Sequence, residues 1–563
     1  MAEPTAQELI QYYQRAKSDR NPLENQWRLN AAYVQPRDYA LWQTQNAGVT
    51  TLGHSSSSDI AARAVYDATA MKSLPIYVAV LNRLSTPGGQ RYHSLQASNK
   101  DLMRIRAVKI YFEQLNELLF YMRNEPRAFF KQAQGEMYAH LGVYGTAPKT
   151  VMWRRDGGGF VYKSWHLRDI FITVDDEGKL RGVFRRMMLS VTDFKSKWPG
   201  MGLPQALQKV GDDATARNER RFEFFHHVCP QADYDGNAID YRRHKLVGYY
   251  VCVDGAEFVG KPEGFISMPY IVPRTETISG DPYGFSPAER AFPAIGGASA
   301  TKKTTIKMGH KAVDPPLLAN DDGALGGGLD TRPGKVIWGG LTQQGQALVQ
   351  ALDGRNNFQV AENILQDDRK DIQDIFLVSL FQIVMASDMR NPQKTAAQVY
   401  EEVGDKAAMV DPTMGRLQSE DQGPQIEREI ALLAEHGKLP EMPPELVEAQ
   451  GEYQVVYAAP FAKLQNSERA SGYMRLKETY INQATATGDS APLDHFNDDV
   501  ALPEIADIMS VPPTWMADAK QLQAKRESRA QQQQTENMIK VAPAAASVAK
   551  ASMDKAGGQR PAA

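Results

Sequence analysis

Four groups of residues in this chain have types and spacings from which chemistry could be built. The first is a glycine cluster, Gly323, Gly326, Gly327 and Gly328, followed by Gly334-Lys335. A phosphate-cradling loop needs G-x-x-x-x-G-K-[ST], so that backbone amides surround the phosphates and the lysine reaches them. Here Leu329 stands at the upstream glycine position and Val336 follows the lysine, so the cluster reads as a turn. The second is Ser286 in Gly284-Phe285-Ser286-Pro287-Ala288. It resembles a nucleophile elbow but lacks the closing glycine and any oxyanion motif, whereas Ser followed by Pro is a strong helix start. The third, His226, His227, Cys229 and Cys252, offers zinc-type donors. Adjacent histidines on a strand point to opposite faces, which makes a shared metal unfavourable and a structural pair the better expectation. The fourth comprises Asp321-Asp322 and Asp367-Asp368, carboxylate pairs with no third partner nearby in sequence. No catalytic residue, metal site or cofactor is expected from these groups, and the chain does not read as an enzyme.

Composition sets the class. With 563 residues and 42% hydrophobic content, the chain has enough apolar surface for more than one packing unit. Lys and Arg total 64 against 67 Asp and Glu, a formal charge of -3, so any nucleic-acid contact must be local. Two cysteines imply no disulfide framework and fit a chain made in a reducing cytoplasm. The N-terminus MAEPTAQELIQ lacks a signal-peptide pattern, and there is no apolar run of about 18 residues to span a bilayer.

The elements that would hold these residues alternate in style along the chain. Helical spacing marks Thr5 to Arg20 and Pro22 to Tyr33, the latter ending at Pro36. A helix capped by Ser58-Asp59 runs from Ile60 with a kink at Pro75 and stops at Ser85 to Gly89; two more cover Leu102 to Tyr121 and Arg127 to Leu141. Between 148 and 272 the period changes. KTVMWRR, GFVYKSW, IFITVDD, LRGVFRRMML, FEFFHHV, LVGYYVCVDG and EGFISMPYIV are β-rich runs separated by turns. They predict a mixed or antiparallel sheet with one short helix near Val191 to Trp198. No βαβ alternation is visible, which argues against a doubly wound nucleotide-binding domain. The expected class is therefore α+β, mainly helical.

Two helices then bracket a glycine-rich insert. Ser286 to Val313 covers 28 residues, about 42 Å of helix, and carries Lys302, Lys303, Lys307 and Lys311 toward its end. Asn357 to Met385 carries Glu362, Asp367, Asp368, Asp371 and Asp374 against Arg369 and Lys370. Dipole compensation and an intramolecular basic-acidic pair account for these charges in one way. Alternatively the hairpin packs against copies of itself in a cyclic oligomer, and each lysine becomes a circle of positive charge suited to a phosphate backbone. The loop MASDMRNPQKTAAQVYEE, Met385 to Glu402, breaks the helical pattern with Arg390, Asn391-Pro392 and Lys394. Further helices are expected from Lys394 to Asp411-Pro412 and from Gly415 to His436, capped by Gly437. The segment from Thr514 on holds eight Lys or Arg against four acids, a net +4, and is Ala- and Gln-rich.

The order of these features resembles the portal proteins, or head-to-tail connectors, of short-tailed bacteriophages. The matching stretches are ENQWRLNAAYVQPR with Trp27 and Pro36, VYDATAMKSLPIYVAVLNRLSTPGGQRYHSL (Val65 to Leu95), RAFFKQAQGEMYAHLGVYGTA (Arg127 to Ala147), GDPYGFSPAERAFPAIGGASATKKTTIK (Gly280 to Lys307) and NPQKTAAQVYEEVGD (Asn391 to Asp405). They span about residues 20 to 440. Pro75, and Pro293 with Gly296-Gly297, depart from elements that the family keeps helical, so kinks are expected there.

The resemblance implies a subunit with wing, stem, clip and crown, arranged as a cyclic ring around an axial channel. On that scheme 1–147 and 148–285 form the wing, helical and then β-rich. The stem helices are 286–313 and 357–385, with the clip at 314–356 between them. The channel loop is 386–396, the inner helix and crown are 397–510, and 511–563 either extends the crown as a helical barrel or is disordered. Arg390, Asn391 and Lys394 would face DNA, and Lys302, Lys303, Lys307 and Lys311 would be stem basic rings. The implied partners are about eleven further copies, double-stranded DNA bound without sequence preference, a terminase, a tail adaptor, and capsid and scaffolding proteins, with no membrane. The implied location is the head-tail vertex of the virion, after synthesis in the host cytoplasm. Another structural virion protein of tail or capsid scaffold, or a DNA-processing nuclease, are the alternatives.

Overall fold

The computed structural model describes residues 4–43, 65–88, 91–99, 101–210, 214–313, 317–319, 349–351, 358–382, 412–448, 452–457, 460–487, 495–508 and 522–532. The chain forms two compact units, Met1–Tyr92 with Leu119–Leu439, and His93–Leu118 with Pro440–Ala563.

The first unit begins with α1 (Ala6–Val34), opened by a capping box in which Thr5 Oγ1 accepts from Glu8 N and the Glu8 carboxylate accepts from Thr5 N. The two expected segments are one helix that continues through Pro22. An interior proline costs about 3 kcal/mol or more, and burial on either side opposes that cost. Arg20, 2% exposed, donates to the carbonyls of Leu167, Arg168 and Ile170 and to Glu24, while Tyr13 and Trp27 are 1% exposed. As expected, the helix stops just before Pro36, at Val34, and Pro36 opens a second helix, Pro36–Gln43, a position where its missing N–H is no loss.

The helix expected from Ile60 is described from Thr69, as α2 (Thr69–Ser85), and runs through Pro75. Ser58 and Asp59 lie outside the described residues. Next comes α3 (Phe130–Tyr144), entered through left-handed Phe129 and ended by Gly145, whose φ is +73°. A β-carbon at Gly145 would stand 2.3 Å from the Gly284 carbonyl oxygen, so no other residue fits that crossing.

The β region is antiparallel throughout, as its alternation predicts. β1 (Lys149–Trp153) and β2 (Phe160–Ser164) form a three-stranded sheet with Tyr270–Ile271. A larger six-stranded sheet contains β3 (Ile170–Val174), β4 (Leu180–Leu189), β5 (Phe222–Pro230) and β6 (Leu246–Cys252) in that order, with Glu257–Phe258 and Glu263–Phe265 both on β6. The expected helix is present at Val191–Lys197. Strand alternation sorts the side chains: Phe184, Phe225, Val247 and Val251 meet Leu9 and Tyr13 of α1, while Met187, Phe224 and Cys252 meet Phe194 of the short helix.

Two further helices complete the hairpin region, α4 (Phe292–Val313) and α5 (Phe358–Ile375). One continuous apolar cluster joins Trp27, Leu74, Leu141 and Ile170 to Ile295, Ala298, Leu365, Ile372 and Phe376, so the near end of the hairpin is anchored in the main core. The unit closes with α6 (Gly423–Glu435), preceded by a π turn at Gln418–Gln422 and ended by Gly437 at φ +61°.

This last helix is fastened by buried charge. Glu429, fully buried, accepts from Arg123 Nε at 2.9 and 3.0 Å and from Arg123 Nη2 at 2.5 Å. It also accepts from Tyr162 Oη and Gln425 Nε2. Lys149 Nζ stands 2.5 Å from Asp421 Oδ1 and donates to Gln134 and Gln425. The π turn, one residue wider per turn than an α-helix, carries both Asp421 and Gln422, which are buried; Gln422 Nε2 donates to Ser85.

The second unit holds an antiparallel pair, His93–Ala97 with Tyr453–Tyr457. Asn116 Oδ1 accepts from Leu95 N, tying the helix at Arg106–Asn124 to the first of these strands. In the same unit Pro460–Thr487 meets Asp498–Ile508 through Tyr473 Oη and Lys477 Nζ, both donating to Asp498 Oδ1. Residues 522–532 are helical.

Replacing Glu429 by Ala leaves the buried Arg123 guanidinium without its carboxylate. We expect a loss of about 3–5 kcal/mol in the stability of the first unit, measured by urea unfolding. A loss below about 1 kcal/mol contradicts the fastening role.

Candidate functional site

Ser286, His226 and His227, which suggested catalysis or metal binding, have structural partners. Ser286 is 1% exposed, and its Oγ accepts from Glu289 N at 2.9 Å as the cap of the short helix Pro287–Arg290. His226 and His227 point to opposite faces of β5. His226 stacks on Tyr250 and bonds Tyr270 Oη at 2.7 Å, whereas His227 stacks on Phe184 and bonds the Val183 carbonyl at 3.2 Å. Both cysteines are free thiols. Among the described residues, no group of three or more His, Cys, Asp or Glu side chains is placed to hold a metal ion. Gly323, Gly326, Gly327, Gly328, Gly334, Lys335, Asp321 and Asp322 lie outside the described residues.

The hairpin holds the charges that the sequence singled out. The single first helix expected from Ser286 to Val313 is divided at Ala291 into Pro287–Arg290 and α4, because Pro293 cannot supply an amide to the preceding turn. Beyond that break α4 runs through Gly296 and Gly297 without interruption. The second helix, expected to reach Met385, ends at Ile375. Leu377 takes a left-handed φ of +60°, and helix resumes at 378–382. Burial of Phe376, Val378 and Leu380 holds that strained turn.

The connection between the two helices ends in an antiparallel pair, Leu317–Ala319 with Val349–Ala351, so α4 and α5 run in opposite directions. Close approach occurs at Gly297, where a β-carbon would stand 2.9 Å from Asp368 Oδ2. Segment 65–68 lies beside both helices: Tyr66 N donates to Ser299 Oγ, Lys303 Nζ stands 5.4 Å from the Tyr66 ring, and Asp67 accepts twice from Arg369 at 2.7 and 2.9 Å. Burial alone pushes the Asp67 carboxyl up, and hydrogen bonds from Thr69 and Arg369 more than reverse this, holding it below its ordinary value.

Lys303 and Lys307 are exposed and Lys302 is half-buried, while Lys311 lies on α4 with no described side chain. Among the described residues, no carboxylate stands within ion-pairing distance of Lys302, Lys303 or Lys307. The expected charge pairing between the helices within one chain is therefore absent there; the acidic helix instead directs Arg369 to Asp67. Asp368 is raised by partial burial and then by Asp371, Asp367 and Asp67. Arg390, Asn391 and Lys394 lie outside the described residues. The Asp67–Arg369 tie had no sequence signal, being a contact between positions 302 residues apart.

The order of helical, β-rich and hairpin elements carried the resemblance to connectors, and the comparison with known proteins decides the family. Residues 6–517 match the family described as bacteriophage head to tail connecting protein. The chain belongs to that family. Among its relatives, the portal protein of Salmonella phage epsilon15 is 22% identical over 98% of this chain and 96% of its own length. A probable portal protein of Bordetella phage BPP-1 is 24% identical over 95% and 93%. A chain from the virion of a native gene transfer agent particle overlaps 74% of this chain and 99% of its own, at 12% identity and a TM-score of 0.29. No helix among the described residues of this connector is long and apolar enough to cross a membrane.

The buried histidines make the connector's stability depend on pH. Burial lowers His227 to about 4, with the Val183 carbonyl offsetting part of the shift. The unfolded chain takes up a proton near 6.5, so this stability is full above that pH and is lost as pH falls toward 4, by about 1.4 kcal/mol per unit. A His227→Phe variant should lose about 2–3 kcal/mol less than the parent between pH 6.5 and 4.5. Parallel stability curves in urea titrations at the two pH values would contradict the assignment.

Proposed function

We propose that this connector assembles as a ring of twelve copies at one vertex of a phage head, where it is the conduit for DNA during packaging and ejection. The observation that carries this is the family match over 6–517, supported by relatives aligned over nearly their whole lengths. In this arrangement 1–147 and 148–285 form the wing, 286–313 and 357–385 the stem region, 314–356 the clip, 397–510 the inner helix and crown, and 511–563 a helical barrel. A terminase docks on the clip during packaging, and a tail adaptor later takes its place. Capsid and scaffolding proteins surround the wing, and the chain becomes part of the virion after synthesis in the host cytoplasm.

The physical case for a conduit rests on non-specific electrostatics. DNA that must slide needs phosphate contacts, which position the duplex without reading its bases. Loop 386–396 supplies Arg390 and Lys394 for this purpose, with Asn391-Pro392 shaping the turn. Lys302, Lys303, Lys307 and Lys311 on α4 are available either to phosphate or to a neighbouring copy.

End-on electron microscopy of the purified chain should show rings with a central hole, and a monodisperse monomer at high concentration contradicts the proposal. Replacing Arg390 and Lys394 together by Ala should leave rings intact and reduce packaged-DNA yield at least several-fold. Unchanged yield removes the loop from the DNA path.

A further inference from the structure

The two hairpin helices carry opposite charges on faces that turn away from the core they share. On α5 the buried stripe is Leu365 and Ile372, continued by Phe376 just past its end. At 3.6 residues per turn, Asp367, Asp371 and Asp374 lie on the far side of the helix, about 180–240° from that stripe. All three are exposed. The same stripe continues toward the start of α5 with Ile364, 50% exposed, and Val360, 49% exposed. It therefore has i, i+4, i+7, i+11, i+14 spacing, apolar in its first half and acidic in its second, the pattern of a helix made to meet another helix.

On α4 the inward face is Ile295 and Ala298. Lys303, Ile306, Lys307 and His310 fall about 80–180° from Ala298, on the outward side. Lys303, Lys307 and His310 are exposed, and Ile306 is 38% exposed. The hairpin is thus a two-helix layer, basic with one isoleucine on one outer face and acidic with two exposed aliphatics on the other. Among the described residues of one copy neither face meets an opposite charge: Arg369 pairs with Asp67, and beside Lys303 stands the Tyr66 ring, 5.4 Å from its Nζ. A neighbouring copy can supply one, and such a head-to-tail contact repeats until a ring closes.

We propose that the acidic outer stripe of α5 in one copy docks on the basic outer stripe of α4 in the next, with Asp371 against Lys303 and Asp367 against Lys307. The proposal rests on the ring reading above and adds the contact that builds it. It assigns Lys303 and Lys307 to a neighbouring subunit instead of to DNA. The pairing has one register. Within a chain Gly297 is level with Asp368, and the helices are antiparallel. Each proposed pair is therefore offset along the helix by about nine residues, roughly 13 Å. Copies related by a pure rotation reach that offset only when the hairpin leans away from the ring axis, so the contact also specifies a lean. Ile306 would be covered by the middle of the acidic helix. Isolated surface pairs contribute little by themselves, so the contact draws also on covering Ile306.

Charge reversal tests the contact in the full-length chain, with ring content read by native mass spectrometry and end-on electron microscopy at moderate salt. One variant carries Asp367→Lys and Asp371→Lys; a second carries Lys303→Glu and Lys307→Glu. Each alone should lose at least tenfold in ring fraction, because equal charges then face each other around the ring. Mixed in equal amounts, the two should recover rings of alternating copies, and a chain carrying all four reversals should recover them by itself. The substituted side chains are exposed, and recovery on mixing shows that both variants fold. Rings from each variant alone, at the parent's yield, overturn this contact while leaving the ring reading standing. The same holds if the lysine variant forms rings normally but fails to package DNA, which would return Lys303 and Lys307 to the channel. Absence of rings from the unaltered chain overturns the ring reading and this contact together.

Discussion

The place of α6, the last helix of the first unit, depends on charge held out of water. Arg123 and Glu429, and Lys149 and Asp421, are all at most 1% exposed. Isolated buried charges cost several kcal/mol each, and only close pairing with further hydrogen bonds makes them tolerable. Here the further bonds come from Tyr92, Tyr162, Gln134 and Gln425. The consequence is geometric: α6 fits one position against β1, β2 and α3, because any slip along its axis would strand a charge. An apolar contact of the same area would admit neighbouring registers. The π turn before α6 belongs to this arrangement, since it brings Asp421 and Gln422 inward within a helix whose α period would otherwise separate them.

The hairpin obeys the opposite rule. Its base shares the main core through Ile295, Ala298, Leu365 and Ile372, and its outer faces keep their charges in solvent. A helix pair built this way is held firmly at one end and has unused binding capacity along its sides. Segment 65–68 reinforces the base, with Asp67 on Arg369 and Tyr66 between Ser299 and Lys303. For a connector, this division suits a component whose work lies in assembly: the body is locked internally, and the contact proposed between copies lies on the hairpin. The buried histidines, capping serine and free thiols belong to the locked part.

Much of this organisation was legible in the residues. The β-rich runs between 148 and 272, the short helix after Leu189 and the capping role of Ser286 follow from local rules of alternation, turn residues and side-chain capping, which act over a few positions and leave their mark in sequence. The opposite orientation of His226 and His227 follows from strand geometry alone. The charge asymmetry of the hairpin is also local, because it depends only on which residues each helix contains. The resemblance to head-to-tail connectors was carried by the order of these features, and the family match bears it out.

What tertiary structure alone decided are the places where distant burial overrides a local preference. Pro22 reads as a helix boundary, yet α1 passes through it because Arg20, Tyr13 and Trp27 are held by residues far along the chain. The α5 period reads as continuous to Met385, yet the helix turns at Leu377 because Phe376 and Val378 are both drawn into the core. The partners of Arg369, Arg123 and Lys149 are equally invisible in sequence, since each pairing joins positions hundreds of residues apart. Local propensity is worth tenths of a kcal/mol to about 1 kcal/mol per residue, and burying a side chain or completing a buried ion pair is worth several times that. The amino-acid order therefore determined which segments are helix or strand and where charge accumulates. The packed fold decided where those segments bend, which charges are locked inside, and which are left facing outward.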